Sequence, residues 1–314
     1  MADFVQVHDN LYSLSAPFGG VPLYIYLIVS EQVVLIDAGV SSTPDDYILP
    51  ALAKLELHPD LLINTHGHVD HFGGNARLKD AFPNMEIAVH QQDAAWVEDH
   101  QRHYYEMYMC MPDDWQFEDG GKAFLELCGP NSAVDIYLEH GDVLTFEPYN
   151  FRVVHSTGHS PGHITLFDSQ QRVAISGDVA LGWGPDVPTG IPNQPSVYYS
   201  PSEYLEGVEM ARALPVDLYC TSHFGPLDNL NMNNICDKSH EFVGNFDAWS
   251  LAALSETPKT LHEVVTDVAS HIPSFDFGYH IHASTQAHLM NHVAKGRAKS
   301  VMLNNHKHYV RDPL

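Results

Sequence analysis

Basic side chains are scarce in this chain. It carries 15 Lys and Arg against 40 Asp and Glu, which gives a formal net charge of −25 at pH 7. Proteins that wrap nucleic acid rely on Lys and Arg to displace the counterions around phosphates. The charge balance therefore makes a nucleic-acid partner an unfavourable interpretation, and a small-molecule substrate a better one.

Cysteine is rare as well, and its four residues lie far apart without a CxxC pattern: Cys110, Cys128, Cys220 and Cys236. This usage indicates reduced, structural thiols in a cytosolic protein. No apolar run is long enough to span a bilayer, and the start of the chain lacks the basic and apolar regions of a secretory signal. We therefore expect a cytoplasmic protein without membrane contact.

Histidine, in contrast, is abundant, and three of the 22 histidines stand together in Thr65-His66-Gly67-His68-Val69-Asp70-His71. This stretch follows the apolar run Leu61-Leu62-Ile63, which predicts a buried strand. On a strand or tight loop, His66 and His68 point the same way because side chains alternate. Adjacent desolvated imidazoles would be costly without a metal, and imidazoles with carboxylates are ligands that zinc prefers. The stretch therefore predicts a metal site.

A single histidine elsewhere is more often an ordinary polar residue. We keep that interpretation for His90, His155, His280 and His282.

The histidine stretch resembles the His-X-His-X-Asp-His signature of the metallo-β-lactamase-fold hydrolase superfamily. Four further motifs of that family occur in chain order. They are Asp37-Ala38-Gly39 after an apolar strand, Thr157-Gly158-His159-Ser160-Pro161-Gly162-His163, Ser176-Gly177-Asp178, and Ser222-His223. Five ordered motifs make the resemblance specific over the chain up to His223.

The resemblance implies a set of ligands for two divalent metal ions. One ion would be held by His66, His68 and His159; the other by Asp70, His71 and His223; Asp178 would bridge them. The bridging aspartate is typical of the glyoxalase II, lactonase and RNase Z branches. Zinc is the default ion, with manganese or iron as alternatives for such a nitrogen and oxygen site.

Two such ions would share a water and lower its pKa towards neutrality, so that a metal-bound hydroxide attacks the substrate. Asp70 is the candidate catalytic residue, which would orient this nucleophile and carry a proton to the leaving atom. Ligand imidazoles need acceptors that fix their tautomers. Asp37 and His163 are our candidates for that supporting role.

The fold that the resemblance implies is α/β, a four-layer αββα sandwich. Short strands with helices between them, and ligands at strand ends, fit this architecture. We expect a catalytic domain over residues 1–229 and a mostly helical region over residues 230–314. The helix, helix, turn and strand order of the latter resembles a small winged-helix-like tail, whose basic end is interpreted as a solvated turn and frayed terminus rather than an RNA-contacting wing.

Two insertions, at about residues 94–134 and 181–200, stand out. The first is rich in aromatic residues and methionine, which predicts packing in the core or a homodimer contact, with a lid or pocket wall as the alternative. The second follows Asp178 and is rich in Gly and Pro, as functional loops commonly are. Its Trp183, Tyr198 and Tyr199 are candidates for contact with the substrate, with plain packing as the alternative.

Three classes of function remain open. The first is a metal-dependent hydrolase of a small ester, lactone or thioester, which the acidic surface and the uncharged insertions favour. The second is an endoribonuclease or phosphodiesterase of the RNase Z-like branch, and β-lactam hydrolysis is a further activity of the same metal chemistry. The third is a metal-binding or partner-binding module without catalysis, which the complete ligand set makes the weakest.

Overall fold

A sheet of mixed direction forms the first of the two central layers. The computed structural model describes residues 3–108, 120–185, 194–275 and 278–312. Within them, the first sheet has seven strands that are neighbours in chain order: β1 (Val5–His8), β2 (Leu11–Ser15), β3 (Tyr24–Val29), β4 (Val33–Ile36), β5 (Leu61–Ile63), β6 (Glu86–His90) and β7 (Ile136–Leu138). Neighbours are antiparallel up to β4 and parallel from β4 onward.

The second central layer is a sheet built mostly from antiparallel pairs. Its six strands in the described part of the chain are β8 (Val143–Phe146), β9 (Tyr149–His155), β10 (Ile164–Asp168), β11 (Val173–Gly177), β12 (Leu218–Thr221) and β13 (Gly225–Asp228). The pair β11 and β12 is parallel. The helix that joins them therefore crosses one face of the sheet.

Helices cover the outer faces of both sheets. Those in the described residues are α1 (Leu49–Leu55), α2 (Val69–Phe72), α3 (Asn75–Ala81), α4 (Gln91–Glu98), α5 (His100–His103), α6 (Gly120–Cys128), α7 (Pro201–Ala213), α8 (Asn229–Ala253), α9 (Leu261–Ala269) and α10 (Tyr279–Ala294). π-Helical turns at Pro44–Ile48 and Tyr104–Tyr108 precede α1 and follow α5.

The alternation of side chains along the strands separates the layers. In β3, Tyr26 and Ile28 pack between the two sheets, whereas Ile25 and Leu27 pack against the helices on the other side. On the far face of the second sheet, Tyr219 packs in one apolar cluster with α7, α8, α9 and α10. These layers confirm the αββα sandwich. Because α7 and α8 share that cluster, a domain division at residue 229 stays a prediction.

The C-terminal region combines its helices with a third, small sheet. In the described residues this sheet contains β14 (Lys259–Thr260), β15 (Ala298–Leu303) and β16 (His306–Arg311), all antiparallel. A capping box begins α9, because Thr260 and Glu263 each accept a hydrogen bond from the other's backbone N–H. The helical region is confirmed. The expected frayed end is wrong, since β16 pairs along its whole length with β15.

Helix α7 and strand β13 are among the elements that the sequence did not predict. Helix α7 carries a recognisable start, with Ser200 accepting a hydrogen bond from the backbone N–H of Glu203 and Pro201 in the first turn. Strand β13 begins Gly-Pro, which reads as a turn, yet it pairs at the edge of the second sheet where a proline is tolerated.

Cys128, Cys220 and Cys236 are buried and form no disulfide; Cys110 lies outside the described residues. Of the described helices, none is long and apolar enough to cross a bilayer.

Candidate metal centre

The histidine stretch lies directly after β5, at the carboxyl end of the first sheet. All three residues of β5 are buried, and the chain turns at His68 into α2. Ligands in open sheets gather at these carboxyl ends because the chain turns there and frees its side chains. His66, His68, Asp70 and His71 therefore lie together at this edge of the sheet.

Three more loops bring their side chains to the same place. His159 comes from the loop between β9 and β10, Asp178 follows β11, and His223 follows β12. The ligand atoms form three groups whose members lie within 4.8 Å of one another: His66, His68 and His159; His66, His71 and Asp178; Asp70, His71 and His223. The structure thus brings together all seven residues expected to bind metal.

Asp178 lies at the centre of these groups. Its Oδ2 is 3.1 Å from the Nε2 of His223 and 3.4 Å from that of His71. The Nε2 atoms of His159 and His66 lie at 3.5 and 3.9 Å. One carboxylate oxygen is therefore close to four imidazoles that belong to both expected ligand sets, which is the arrangement a bridging ligand requires.

The residue before Asp178 must be glycine. Gly177 has a φ of +51°, and a Cβ there would lie 2.8 Å from His163 Nε2. A side chain would strain the backbone and displace His163. This glycine therefore allows the chain to leave β11 and turn Asp178 towards the centre.

Hydrogen bonds at Nδ1 fix the orientation of four ligand imidazoles. The Nδ1 of His66 lies 3.0 Å from Thr65 Oγ1, and that of His71 lies 2.9 Å from Asp37 Oδ2. Backbone carbonyls serve the other two, Val197 for His159 and Pro22 for His223, each at 2.7 Å. With Nδ1 donating to these acceptors, each Nε2 keeps a lone pair directed at the centre.

Asp37 and His163 both take supporting positions. Asp37 accepts hydrogen bonds from the backbone N–H and the hydroxyl of Thr65 in addition to His71. His163 accepts a hydrogen bond from the backbone N–H of Asp178 at 2.9 Å, and its Nδ1 lies 2.8 Å from Ser156 Oγ. Asp37 thus orients one ligand side chain, and His163 holds the backbone of another.

The electrostatics of the centre fit a bound cation. Burial lowers the pKa of His66 and His68 well below the usual value, and their imidazole neighbours add to the effect. Burial also acts to raise the pKa of Asp178, but His223 and His71 outweigh it and hold that pKa well below its usual range. Nearby carboxylates also raise the pKa of His71 well above its usual value and that of His223 to about 9, against the effect of burial. Without a cation, protons would therefore occupy part of the ligand cluster, and a divalent metal would displace them on binding.

At the centre of the histidine cluster, two of the buried polar atoms that lack a hydrogen-bond partner within the described residues are Nε2 of His71 and Oδ1 of Asp178. Leaving such atoms unsatisfied is unfavourable, so an unpaired buried atom usually indicates an unseen water or ion. Both atoms belong to the expected ligand set. The residues present therefore fit a metal centre.

Asp93, a residue that the sequence analysis missed, connects two of the ligand loops. It is fully buried in α4. Its Oδ2 accepts from the backbone N–H of Gly67 at 2.7 Å and from Ser160 Oγ at 2.5 Å, and its Oδ1 accepts from the backbone N–H of Gly162 at 2.6 Å. Burial raises the pKa of Asp93, while these hydrogen bonds act against the increase.

The hydrogen bonds of Asp93 to the two ligand loops, here called the Asp93 clamp, also require a glycine at position 162. A Cβ on Gly162 would lie 2.7 Å from the Asp93 carboxyl carbon, so any side chain would push the carboxylate away. The sequence offers little warning of the clamp, because an aspartate in the first turn of a helix is common for its interaction with the helix dipole.

His90 caps the helix that carries Asp93, and the cap should fail in acid. Its Nδ1 accepts a hydrogen bond from the backbone N–H of Gln92, which requires a neutral ring. Burial, helped by the nearby His155, lowers the pKa of His90 to about 4. The unfolded chain, with a pKa near 6.5, takes up the proton first as the pH falls. Stability from this group is present above about pH 6.5 and is lost as the pH falls towards 4.

We expect H90N, which keeps a capping acceptor that does not titrate, to flatten this dependence by about 2 kcal/mol between pH 7 and pH 4.5. Denaturant unfolding of both proteins over that pH range measures it. Histidines that do not interact with His90 contribute equally to the two proteins and cancel in the comparison. Parallel stability curves for wild type and variant would refute this role.

A cavity of about 440 Å³ opens onto the ligand cluster. His68, Asp70, His159, Asp178 and His223 line its polar end. The remaining described walls come from the β2–β3 loop, from the first insertion through the Tyr104–Tyr108 turn and α6, from residues around the second insertion, and from the start of α10. The described part of the first insertion therefore forms a wall of the cavity, while residues 109–119 lie outside the described residues. A homodimer contact through the insertion at about residues 94–134 stays a prediction.

The aromatic residues expected at the substrate lie elsewhere. Tyr198 is buried, with its hydroxyl 2.8 Å from His288 Nε2 in α10. Trp183 packs on Phe242 and donates its indole N–H to Glu241. Tyr199 is exposed and hydrogen bonds to Glu203. None of these three side chains is among the described residues that line the cavity. The structure supports packing for Trp183 and Tyr198 and places Tyr199 at the surface.

Residues of the C-terminal region, rather than these three aromatic residues, line the cavity. Gly278, Tyr279 and His280, at the start of α10, line the cavity. Helix α10 also contacts the segment whose Val197 carbonyl lies 2.7 Å from His159 Nδ1. Within that segment, Ser196 accepts a hydrogen bond at its carbonyl from Ser284 Oγ of α10 at 2.6 Å. The interpretation of His280 as an unremarkable polar residue therefore missed its position. Since α10 lies more than 50 residues beyond the last motif, no local pattern pointed to it.

Known proteins share sequence and fold with this chain. Residues 18–223 match the family model described as the metallo-beta-lactamase superfamily. The hydroxyacylglutathione hydrolase GloC of Haemophilus influenzae is 27% identical over 160 residues, which are 49% of this chain and 64% of that protein. The acyl-coenzyme A thioesterase MBLAC2 of Gallus gallus is 30% identical over 159 residues, 48% of this chain and 54% of that protein.

The chain thus spans between half and two thirds of these curated relatives. Among solved structures, a metallo-beta-lactamase family protein from Thermus thermophilus has a TM-score of 0.74 at 18% identity, covering 98% of this chain and all of that one. A beta-lactamase domain protein from Burkholderia ambifaria gives the same TM-score at 19% identity, over 98% of this chain and 94% of that one. This likeness shows a shared fold that includes the C-terminal region.

Proposed function

Because the chain belongs to the metallo-beta-lactamase superfamily, we propose that it hydrolyses the acyl bond of a small ester, lactone or thioester with two divalent metal ions. The observation that carries this proposal is the position of Asp178 Oδ2, between 3.1 and 3.9 Å from the Nε2 atoms of four histidines. A single carboxylate oxygen among ligands of two sets is the geometry of a shared centre.

The residues divide into two sets around that carboxylate. His66, His68 and His159 would hold one ion, while Asp70, His71 and His223 would hold the other, with Asp178 between them. When bound, such ions polarise the attacked carbonyl and lower the pKa of a water that they share. Zinc suits the nitrogen and oxygen donors, and manganese or iron could replace it.

Asp70 has the position of a catalytic group as well as a ligand. Its Oδ2 lies 3.5 Å from His223 Nε2 and 3.6 Å from His71 Nε2, yet 22% of its side chain is exposed. Asp178, in contrast, is almost completely buried. Asp70 can therefore reach the substrate side of the centre, where a carboxylate orients the attacking water and delivers its proton to the leaving oxygen or sulfur.

The scarcity of cationic side chains supports an acyl substrate over a phosphodiester. The described residues that line it include no Lys or Arg, and the chain as a whole has a net charge of −25. RNA binding requires cationic side chains near the phosphates. The names of the two curated relatives, a hydroxyacylglutathione hydrolase and an acyl-coenzyme A thioesterase, favour acyl transfer to water. Endoribonuclease and β-lactamase activities remain the alternatives.

A substrate panel tests the proposal. We expect the metal-loaded protein to hydrolyse at least one neutral lactone, ester or thioester, and to leave short single-stranded RNA, phosphodiesters and β-lactams intact. A chelator should abolish the turnover, and added zinc or manganese should restore it. Turnover that survives complete metal removal would overturn the metal mechanism, and cleavage of RNA alone would overturn the acyl assignment.

A further inference from the structure

Most of the described walls of the cavity outside the expected metal ligands are apolar. Phe18, Val21 and Leu23 come from the N-terminal side, and Met107, Phe124 and Leu127 from the first insertion. Leu181, Pro185, Pro195 and Val197 add a further apolar wall beside the ligand Asp178. A cavity of about 440 Å³ is within the range that encloses a small ligand. The ligand cluster and the apolar walls thus form two chemically different ends of one space.

Few polar groups are available beyond that cluster. Among the described lining residues, Gln194, the phenol of Tyr279 and His280 are the polar side chains that are not expected metal ligands, and there is no Lys, Arg or Glu. A carboxylate or phosphate placed in this part of the cavity would lose its hydration without gaining a Lys or Arg partner among the described lining residues. The walls therefore select against charged groups.

We infer that the cavity binds an uncharged, apolar acyl chain, with its carbonyl at the metal-ligand end and its hydrocarbon part against the first insertion and the start of α10. This assignment rests on the proposed acyl hydrolysis and names its substrate class. Water would cleave the bond between the carbonyl carbon and the leaving oxygen or sulfur, giving a carboxylic acid and an alcohol or thiol.

The acyl chain, rather than the leaving group, fits this space. A large polar carrier of a thioester would need charge partners that the described walls lack, so it must extend from the mouth of the cavity into solvent. The acyl part then remains inside, where each buried methylene is favourable. Helix α10 contributes to that wall, so the C-terminal region takes part in selecting the substrate.

Thioesters of N-acetylcysteamine provide the test, because their leaving thiol is small and neutral. We expect kcat/KM of the metal-loaded protein to rise roughly tenfold for each two-carbon extension from acetyl to octanoyl until the chain fills the cavity, the ratio that about 0.8 kcal/mol per buried methylene gives. The succinyl thioester has the length of the butyryl thioester and a carboxylate at its end. It should be hydrolysed at least tenfold more slowly.

A variant that fills the cavity adds a second readout. Ala123 lines the cavity from α6 and is exposed, so A123F adds bulk without opening the core. The ratio of octanoyl to acetyl turnover should fall about tenfold. The matched control is A53F, which places the same side chain on an exposed alanine of α1 away from the cavity and should leave that ratio unchanged.

Binding of octanoate, acetate and succinate, measured by calorimetry on the metal-loaded protein, separates this inference from the proposed function. If octanoate bound at least tenfold more tightly than acetate and succinate but no acyl substrate were turned over, the apolar acyl site would be supported and the proposed hydrolase function would be wrong. Turnover that is equal for acetyl, octanoyl and succinyl thioesters would keep the hydrolase and overturn the apolar site.

Discussion

Replacing Asp178 by asparagine is expected to reduce the bound metal from two equivalents to one or fewer and to lower kcat/KM by about 10³-fold, which corresponds to about 4 kcal/mol. The carboxylate supplies a negative charge between the two expected ligand sets, with its Oδ2 within 4 Å of four imidazole nitrogens. An amide keeps the shape and removes that charge. Two cations would then face each other without a bridging anion.

Metal content by elemental analysis after gel filtration, together with turnover of the best acyl substrate, measures this effect. D217N is the matched control, because Asp217 is an exposed aspartate that pairs with Arg172 on the surface. Exposed ion pairs contribute little, so this variant should keep its metal and its activity. If D178N kept two metal equivalents and activity within tenfold of wild type, Asp178 would not be a bridging ligand.

The expected metal ligands could be named from the sequence because they are clustered in short motifs. His66, His68, Asp70 and His71 fall within six positions, and each remaining expected ligand lies within four residues of the end of a strand. A strand end fixes where a side chain points, so local sequence carries most of the information. The two layers of strands could be predicted for the same reason, since apolar runs and turn residues are local signals.

The parts that were missed depend on contacts between distant segments. The cavity joins Phe18, Leu127 and Tyr279, which are separated by more than 100 residues in each case. Their apolar or aromatic side chains look the same in a core as in a pocket. Trp183, Tyr198 and Tyr199 were chosen because they follow Asp178 closely in sequence. The chain turns them towards α8, α10 and solvent instead, so closeness along the chain was misleading.

The role of Asp93 likewise depends on contacts between distant segments, and its replacement is the second change with a large expected effect. The D93N variant should lose about 2–4 kcal/mol of unfolding free energy and bind metal 10–100-fold more weakly. Whichever way the new amide turns, its NH₂ group faces a backbone N–H, either that of Gly67 or that of Gly162. The loop that carries His66 and His68 would then be released from the loop that carries His159.

Chelator competition on the loaded protein measures metal affinity, and denaturant unfolding measures stability. Asp168 offers the matched control because it is equally buried and accepts hydrogen bonds from three backbone N–H groups, those of Asn150, Gln170 and Gln171. It lies at the far end of β10 from the ligands, so D168N should lower stability to a similar degree while metal affinity is unchanged. Equal losses of metal affinity in both variants would mean that Asp93 acts only through general stability. A loss of metal affinity confined to D93N would show that the hydrogen bonds of Asp93 to the two ligand loops position the metal ligands.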